Sequence, residues 1–270
     1  MHRILTDIKK YILIYFIFVK NCLIAQMEYR INFISGIAVE CGYLLAKILY
    51  IVVIYRAGVV INGLTPDAIL MFIGTYIIMT GLYMGLFAVN FYSLSGYIRD
   101  GTLDMFIIKP ISLQFITTLR YIDFGMPIPN VTAGIVLVVI GWNKVGIPVT
   151  LINIIGFICF IIGGVFLNYA LFLLPQLLSF WTVKTGGVNE ISNALWDFNN
   201  MPMGIYNKWI QRIGTFLIPV FLITNYSPLF VLSKLSYYYI IWGILAPIIF
   251  MIICRLLWNF AVRNYTSASS

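Results

Sequence analysis

The chain has 270 residues, of which 61% are apolar, 16% aromatic and 10% charged, with a mean hydropathy of +0.97. Soluble domains run about 45–50% apolar and about 25% charged, so this composition excludes a soluble enzyme, a nucleic-acid module and a disordered chain. Lys and Arg number 17 against 9 Asp and Glu, a formal net charge of +8. The positive residues fall in short segments between long apolar runs, the pattern of membrane topology rather than of nucleic-acid binding. Cys22, Cys41, Cys159 and Cys254 stand singly, without C-x-x-C spacing, which argues against a disulfide framework or a zinc site.

In chain order, residues 1–30 combine Arg3, Lys9 and Lys10 with the apolar run Tyr11–Val19. Lys20 and Asn21 end that run, no small-x-small cleavage site follows, and the run is too short to span a bilayer. Ile4, Ile8, Tyr11, Ile12, Tyr15, Phe16, Val19 and Leu23 recur at helical spacing, which predicts an interfacial amphipathic helix, with a retained anchor as the alternative. Spans are then expected at Ile31–Tyr55, Ala68–Leu94, Phe115–Gly141, Pro148–Trp181 and Tyr237–Val262, each with about the 20 apolar residues a crossing helix needs. None alternates with period two, which excludes outer-membrane barrel strands.

The stretch between Thr182 and Lys234 has two readings. In the first, Val188–Tyr206 is a polar fifth span and Trp209–Phe230 dips into the bilayer and returns. In the second, Lys184–Lys208 is a cytoplasmic loop and Trp209–Tyr226 is the fifth span. Both put most Lys and Arg on the side of the two termini, which the positive-inside rule makes cytoplasmic. The second moves Lys208 and Arg212 to that side, and the charge count mildly prefers it.

Common catalytic chemistry lacks its residues. No G-x-x-x-x-G-K-[ST] loop is present, His2 is the lone histidine, and Ser93-Leu-Ser95-Gly96 is not a nucleophile elbow. Asp123 and Asp197 would have to face each other to act as a paired-aspartate intramembrane protease, and nothing in their flanks supports that. Ionisable residues inside apolar segments are costly and mark pathways or interhelical contacts. Glu40 and Lys47, seven apart, share one helical face about 10 Å apart along the axis. Glu190 and Asp197 repeat that spacing beside Asn193 and Asn200. These four are candidate pathway-lining residues; the alternative is interhelical hydrogen bonding. Gly81 and Gly85, with Gly74 before them, form a small-residue face for close helix packing.

The loop Gly96–Ser112 carries Arg99, Asp100 and Asp104, a short apolar helix from Leu103, and the stop Pro110. A short helix bounded by charge between two spans invites docking by another protein, with Leu103, Phe106 and Ile107 as apolar anchors and Arg99, Asp100 and Asp104 setting register. A solvated turn on the headgroups is the alternative.

Arg99-Asp-Gly-Thr-Leu-Asp104 followed by Ile108-Lys-Pro110 is similar to the R-x-G-x-L-D…L-K-P run of ABC transporter permeases of the second exporter type, in the branch of six-span permeases made separately from their ATPase. Glu28-Tyr-Arg30-Ile-Asn-Phe33, Phe180-Trp181, Pro202 through Tyr206, Lys208-Trp209, Pro219, Asn225-Tyr-Ser-Pro228 and Tyr265-Thr-Ser-Ala268 resemble other pieces of that branch. The resemblance implies an all-α polytopic membrane protein in which residues 1–270 form a single permease domain. It has an N-terminal interfacial helix, six transmembrane helices and a cytoplasmic coupling helix between spans 2 and 3. It implies re-entrant helices on the outer face, at 209–230, and so selects the first reading, with 188–206 as span five. The function implied is the membrane subunit of an ATP-driven exporter, with an ion-coupled secondary transporter using Glu40, or a membrane scaffold, as alternatives. No cofactor or metal is expected in this chain, because ATP and Mg would be bound by the partner ATPase. The partners implied are two copies of that ATPase, a second permease, identical or related, and the lipid bilayer, with no nucleic acid. The place implied is the cell (inner or cytoplasmic) membrane, multi-pass, with cytoplasmic N- and C-termini.

Overall fold

The computed structural model describes residues 2–58, 60–61, 63–182 and 186–266; Lys184 and the end of the Tyr265–Ala268 run lie outside them. All regular elements among the described residues are helices: α1 His2–Glu28, α2 Arg30–Ala57, α3 Pro66–Tyr83, α4 Val89–Arg99, α5 Thr102–Ile107, α6 Leu113–Leu119, α7 Pro127–Val145, α8 Leu151–Gln176, α9 Gly186–Asp197, α10 Lys208–Arg212, α11 Phe221–Val231 and α12 Tyr237–Arg263. Five are long and apolar enough to cross a membrane: Arg30–Ala57, Pro66–Arg99, Pro127–Val145, Leu151–Phe180 and Tyr237–Arg263. The hairpin Lys208–Leu217 and Phe221–Val231, bent by 103°, raises the number to six if it is counted as one span.

The centre is the long helix that α3 and α4 make through a π-helical turn at Met84–Ala88. Thr65 caps its start, its side chain accepting from the Ala68 N–H at 3.3 Å, with Pro66 in the first turn where its missing donor costs nothing. Gly74 and Gly81 of α3 face α7, and Gly85 in the π turn meets Pro127 at its start. A Cβ at Gly74 would lie 2.8 Å from both Gly134 O and Val138 N, and one at Gly81 2.9 Å from Asn130 Cβ. On α7, Gly134 and Gly141 return the contact, so the two backbones approach as only small residues allow.

The expected span Phe115–Gly141 is not one helix. α6 ends at Leu119, residues 120–126 are irregular, and α7 starts at Pro127, so the crossing helix is Pro127–Val145. Gly125, Pro127 and Pro129 break the continuity, and the freed backbone groups find side chains instead. Asn90 Nδ2 donates to Tyr121 O at 2.7 Å and its Oδ1 accepts from Tyr121 N at 2.9 Å. Gln26 does the same from α1, donating to Ile122 O at 2.7 Å and accepting from Phe124 N at 3.0 Å. Gly85 O, in the π turn, accepts from Asp123 N at 2.9 Å, and Asp123 Oδ1 accepts from Gly125 N at 2.7 Å. Buried irregular backbone is tolerated when its polar groups are satisfied in this way.

The expected continuous helix Val188–Tyr206 is also broken. α9 has twelve residues, about 18 Å of rise, and is followed by 3-10 turns at Phe198–Asn200 and Met203–Ile205. The segment nevertheless climbs the bundle. Asn189 and Ser192 meet Gln176 near the end of α8, Trp196 meets Phe172 and Tyr83, and Met203 N reaches Asn225 in α11. α11 returns antiparallel to α8: a Cβ at Gly164 would meet Ile223 O, and one at Gly156 the Phe230 ring. α11 therefore ends near the start of α8.

α1 packs on Phe115 of α6 through Tyr11 and Phe18 and on the break through Cys22 and Gln26, and leaves Ile8, Ile12, Phe16 and Leu23 exposed.

Candidate coupling surface and polar track

The chain leaves α4 at Arg99, whose Nε binds Asp100 Oδ1 at 2.9 Å with both side chains exposed. Gly101, at φ 71°, adopts a left-handed conformation that glycine takes without strain, and turns the chain into α5. Two of the three expected anchors are not available to a partner. Leu103 and Phe106 point inward and are buried, because they lie three apart on the face of α5 that meets α4 and α6. The Phe106 ring stands edge-on to Tyr97 at 5.2 Å, with the Lys109 ammonium and the Arg120 guanidinium each 5.5 Å from its centroid. Ile107 does face out, joined by Met105 and by Ile108, which is 83% exposed. Met105 and Ile108 were legible in principle: they too are three apart, on the face opposite Leu103 and Phe106. Asp104 is half-buried beside them.

This elbow is held from three directions. Lys10 Nζ donates to Pro110 O at 2.9 Å, and the Ser112 N–H donates to the Tyr11 hydroxyl at 2.9 Å. α6 is then tied to the bundle interior, where Gln114 Nε2 donates to the Tyr169 hydroxyl at 3.0 Å and Arg255 Nη1 donates to Gln114 Oε1 at 2.6 Å. α6, the neighbour of α5, is thus tied to α8 and α12 through a short polar chain.

The four ionisable candidates do not converge on one point. Glu40 is buried and its Oε1 accepts from Asn130 Nδ2 at 2.7 Å, tying α2 to α7. Lys47 sits 5.1 Å above the Tyr76 ring, tying α2 to α3. Tyr76 also meets Trp196, the neighbour of Asp197, so Lys47 and Asp197 flank one aromatic pair. Asp197 is exposed and accepts from Asn200 at 3.2 Å; Glu190 is exposed at the other end of α9. Among the described residues, no three His, Cys, Asp or Glu side chains gather as metal ligands would.

A neutral polar track follows α9, of which the sequence reading of this helix named Asn193 alone. It runs from Gln176 with Asn189 and Ser192, through Tyr92 with Asn193, to Asn199, Thr224 and Asn225, where Thr224 Oγ1 meets Asn199 Oδ1 at 3.3 Å. Its signal in the sequence is weak, since Asn and Ser alone do not interrupt an apolar pattern strongly.

The family described as ABC-2 family transporter protein matches residues 41–269. No curated protein and no solved structure matches the chain. The chain belongs to the ABC-2 transporter family, and is a multi-pass membrane protein, the membrane component of an ABC transporter.

Proposed function

We propose that this ABC-2 family chain is the permease subunit of an ATP-driven exporter, powered by two copies of a separate ATPase and forming its pathway with a second permease, identical or related. The observation that carries the reading is the elbow at Gly101–Pro110. It exposes Met105, Ile107 and Ile108 beside the Arg99–Asp100 pair, while Leu103 and Phe106 lock the same short helix to the bundle. An apolar face rimmed by fixed charge suits a groove on a partner protein, and its attachment to α6, α8 and α12 suits the transmission of a movement. α5 is then the coupling helix, with Arg99, Asp100 and Asp104 setting register.

Orientation follows from charge. With Lys9, Lys10 and Lys20 on α1, Arg30 at the start of α2, Arg99, Lys109 and Arg120 around the elbow, and Arg255 and Arg263 in the second half of α12, the positive charge gathers towards the elbow, and that end, with both termini, is assigned to the cytoplasm. α1 is the interfacial helix, lying with Ile8, Ile12 and Phe16 towards lipid. Residues 188–206 make the fifth crossing, as the ladder of contacts from Gln176 to Asn225 supports, and the bent pair 208–217 and 221–231 is re-entrant from the outer face. Glu190 and Asp197, exposed on α9, line the pathway with Lys47.

Two experiments test this. Purification of the chain from its own membrane should bring down an ATPase subunit in equal amount; its absence would remove the exporter reading. Single cysteines at Lys144→Cys and Lys208→Cys, with Cys22, Cys41, Cys159 and Cys254 replaced, should react with an impermeant thiol reagent from outside, and Lys109→Cys should not. Labelling at 144 without labelling at 208 would restore 184–208 as a cytoplasmic loop.

A further inference from the structure

A cavity of about 700 Å³ opens between α1, the start of α2 and the irregular segment 120–126. Small-molecule sites have volumes of about 300–1,000 Å³, so this space exceeds what packing alone requires. Its wall is divided by chemistry. Phe18, Phe33, Val89 and Ile116 make an apolar slot, and Lys109 and Arg120 bring two cations to it.

Lys109 and Arg120 take part in neither the Arg99–Asp100 pair nor the Lys144–Asp67 pair. Each stands 5.5 Å from the centroid of the Phe106 ring, and both line the cavity. The acid in the wall, Asp123, turns Oδ1 to the N–H groups of Gly125 at 2.7 Å and Met126 at 3.4 Å. The walls are also fixed in place: Gln26 and Asn90 each clamp the backbone of the segment that carries Arg120 with a donor and an acceptor.

We propose that this cavity binds one anionic phospholipid, its phosphate between Lys109 and Arg120 and the start of an acyl chain along Phe18, Phe33 and Val89. Arg recognises phosphate through charge-assisted hydrogen bonds, and clustered basic side chains at a membrane surface attract anionic headgroups. A free phosphate ion would satisfy the cations but leave the apolar slot empty, which is why the occupant is a lipid. The bound lipid closes the gap between α1 and the break and so joins the N-terminal helix to the elbow. The inference needs only that the chain lies in a membrane; it stands whether or not an ATPase docks on α5.

The full-length chain, purified in mild detergent, is examined by native mass spectrometry for retained lipid and titrated with phosphatidylglycerol, phosphatidylcholine and inorganic phosphate. Wild type should keep one phosphatidylglycerol through purification. The double variant Lys109→Gln/Arg120→Gln should lose at least tenfold of that binding, and Val89→Phe should lose it through the slot with both cations intact and an unchanged melting temperature. Arg263→Gln, a cation at the end of α12, should bind like wild type. Equal retention in all four proteins, or equal binding of phosphatidylcholine, would overturn the site. Displacement of the lipid by millimolar inorganic phosphate would make it a free-phosphate site and overturn the lipid assignment.

Discussion

α2 and the helix formed by α3 and α4 are nearly equal in apolar character, with mean hydropathies of 2.1 and 1.8 over their best windows, yet 18% of the first window is buried and 78% of the second. Hydropathy says that both cross a membrane; it does not say which is the core. The difference lies in what their glycines meet. Gly74, Gly81 and Gly85 of the central helix abut α7 or the break before it, whereas Gly36 and Gly42 of α2 have nothing within 4 Å. In a membrane, lipid tails are as apolar as leucine, so helices associate through close packing and a few polar bonds rather than through exclusion of water. α2 accordingly holds to the bundle at a few points, among them Glu40 with Asn130, Lys47 over Tyr76 and Tyr55 with Asp67. Its remaining surface faces lipid or, in the proposed assembly, the second permease.

The largest effect should come from filling the contact between α3 and α7. Gly74→Ile drives a side chain into Gly134 O and Val138 N and should destabilise the chain by about 3 kcal/mol, read as reversible unfolding in detergent or bicelles. Gly42→Ile should stay within about 0.5 kcal/mol of wild type. Equal losses would mean that α2 is packed as tightly as α3, and the contrast between them would fail.

A smaller loss is expected at the break. Asn90→Leu leaves both polar groups of Tyr121 without their side-chain partner, at about 1–3 kcal/mol for a buried unsatisfied group. Limited proteolysis should then open the chain near residues 120–126 before any other site; an unchanged digestion pattern would show that the break does not depend on Asn90.

The smallest stability effect should come from the elbow. Met105→Glu and Ile108→Glu alter exposed side chains and should leave the melting temperature within experimental error, while lowering recovery of the ATPase by at least tenfold. Leu103→Ala, on the inward face, empties a buried site and should instead cost about 2 kcal/mol, below the loss at Gly74. If Leu103→Ala left stability intact and released the ATPase, the inward and outward faces of α5 would have to be exchanged.

Much of this organisation is legible in the sequence. An all-helical membrane protein follows from the apolar runs, and the four-residue step from Gly81 to Gly85, with Gly74 before them, picks out the face that lies on α7. Two features are not legible from hydropathy alone. At the break, 120–126, Arg120 and Asp123 lower the hydropathy without saying that the helix stops, and Gly125, Pro127 and Pro129 are the local marks of it; the side chains that make it tolerable, Gln26 and Asn90, are remote in sequence. α9 ends early for the same kind of reason, at Asn199, Asn200 and Pro202. The orientation of α5 was available from helical periodicity, but the pull of Leu103 and Phe106 as large apolar residues hides the fact that they serve their own chain first.

The most direct test of the account is a photo-crosslinking amino acid placed at Ile108 or at Tyr238, the latter near the start of α12 at the opposite end of the bundle and also 83% exposed. In membranes containing the chain and its copurifying ATPase, the account predicts an adduct with the ATPase from position 108 and none from position 238. An adduct from position 238, or none from 108 while the ATPase is bound, would contradict it.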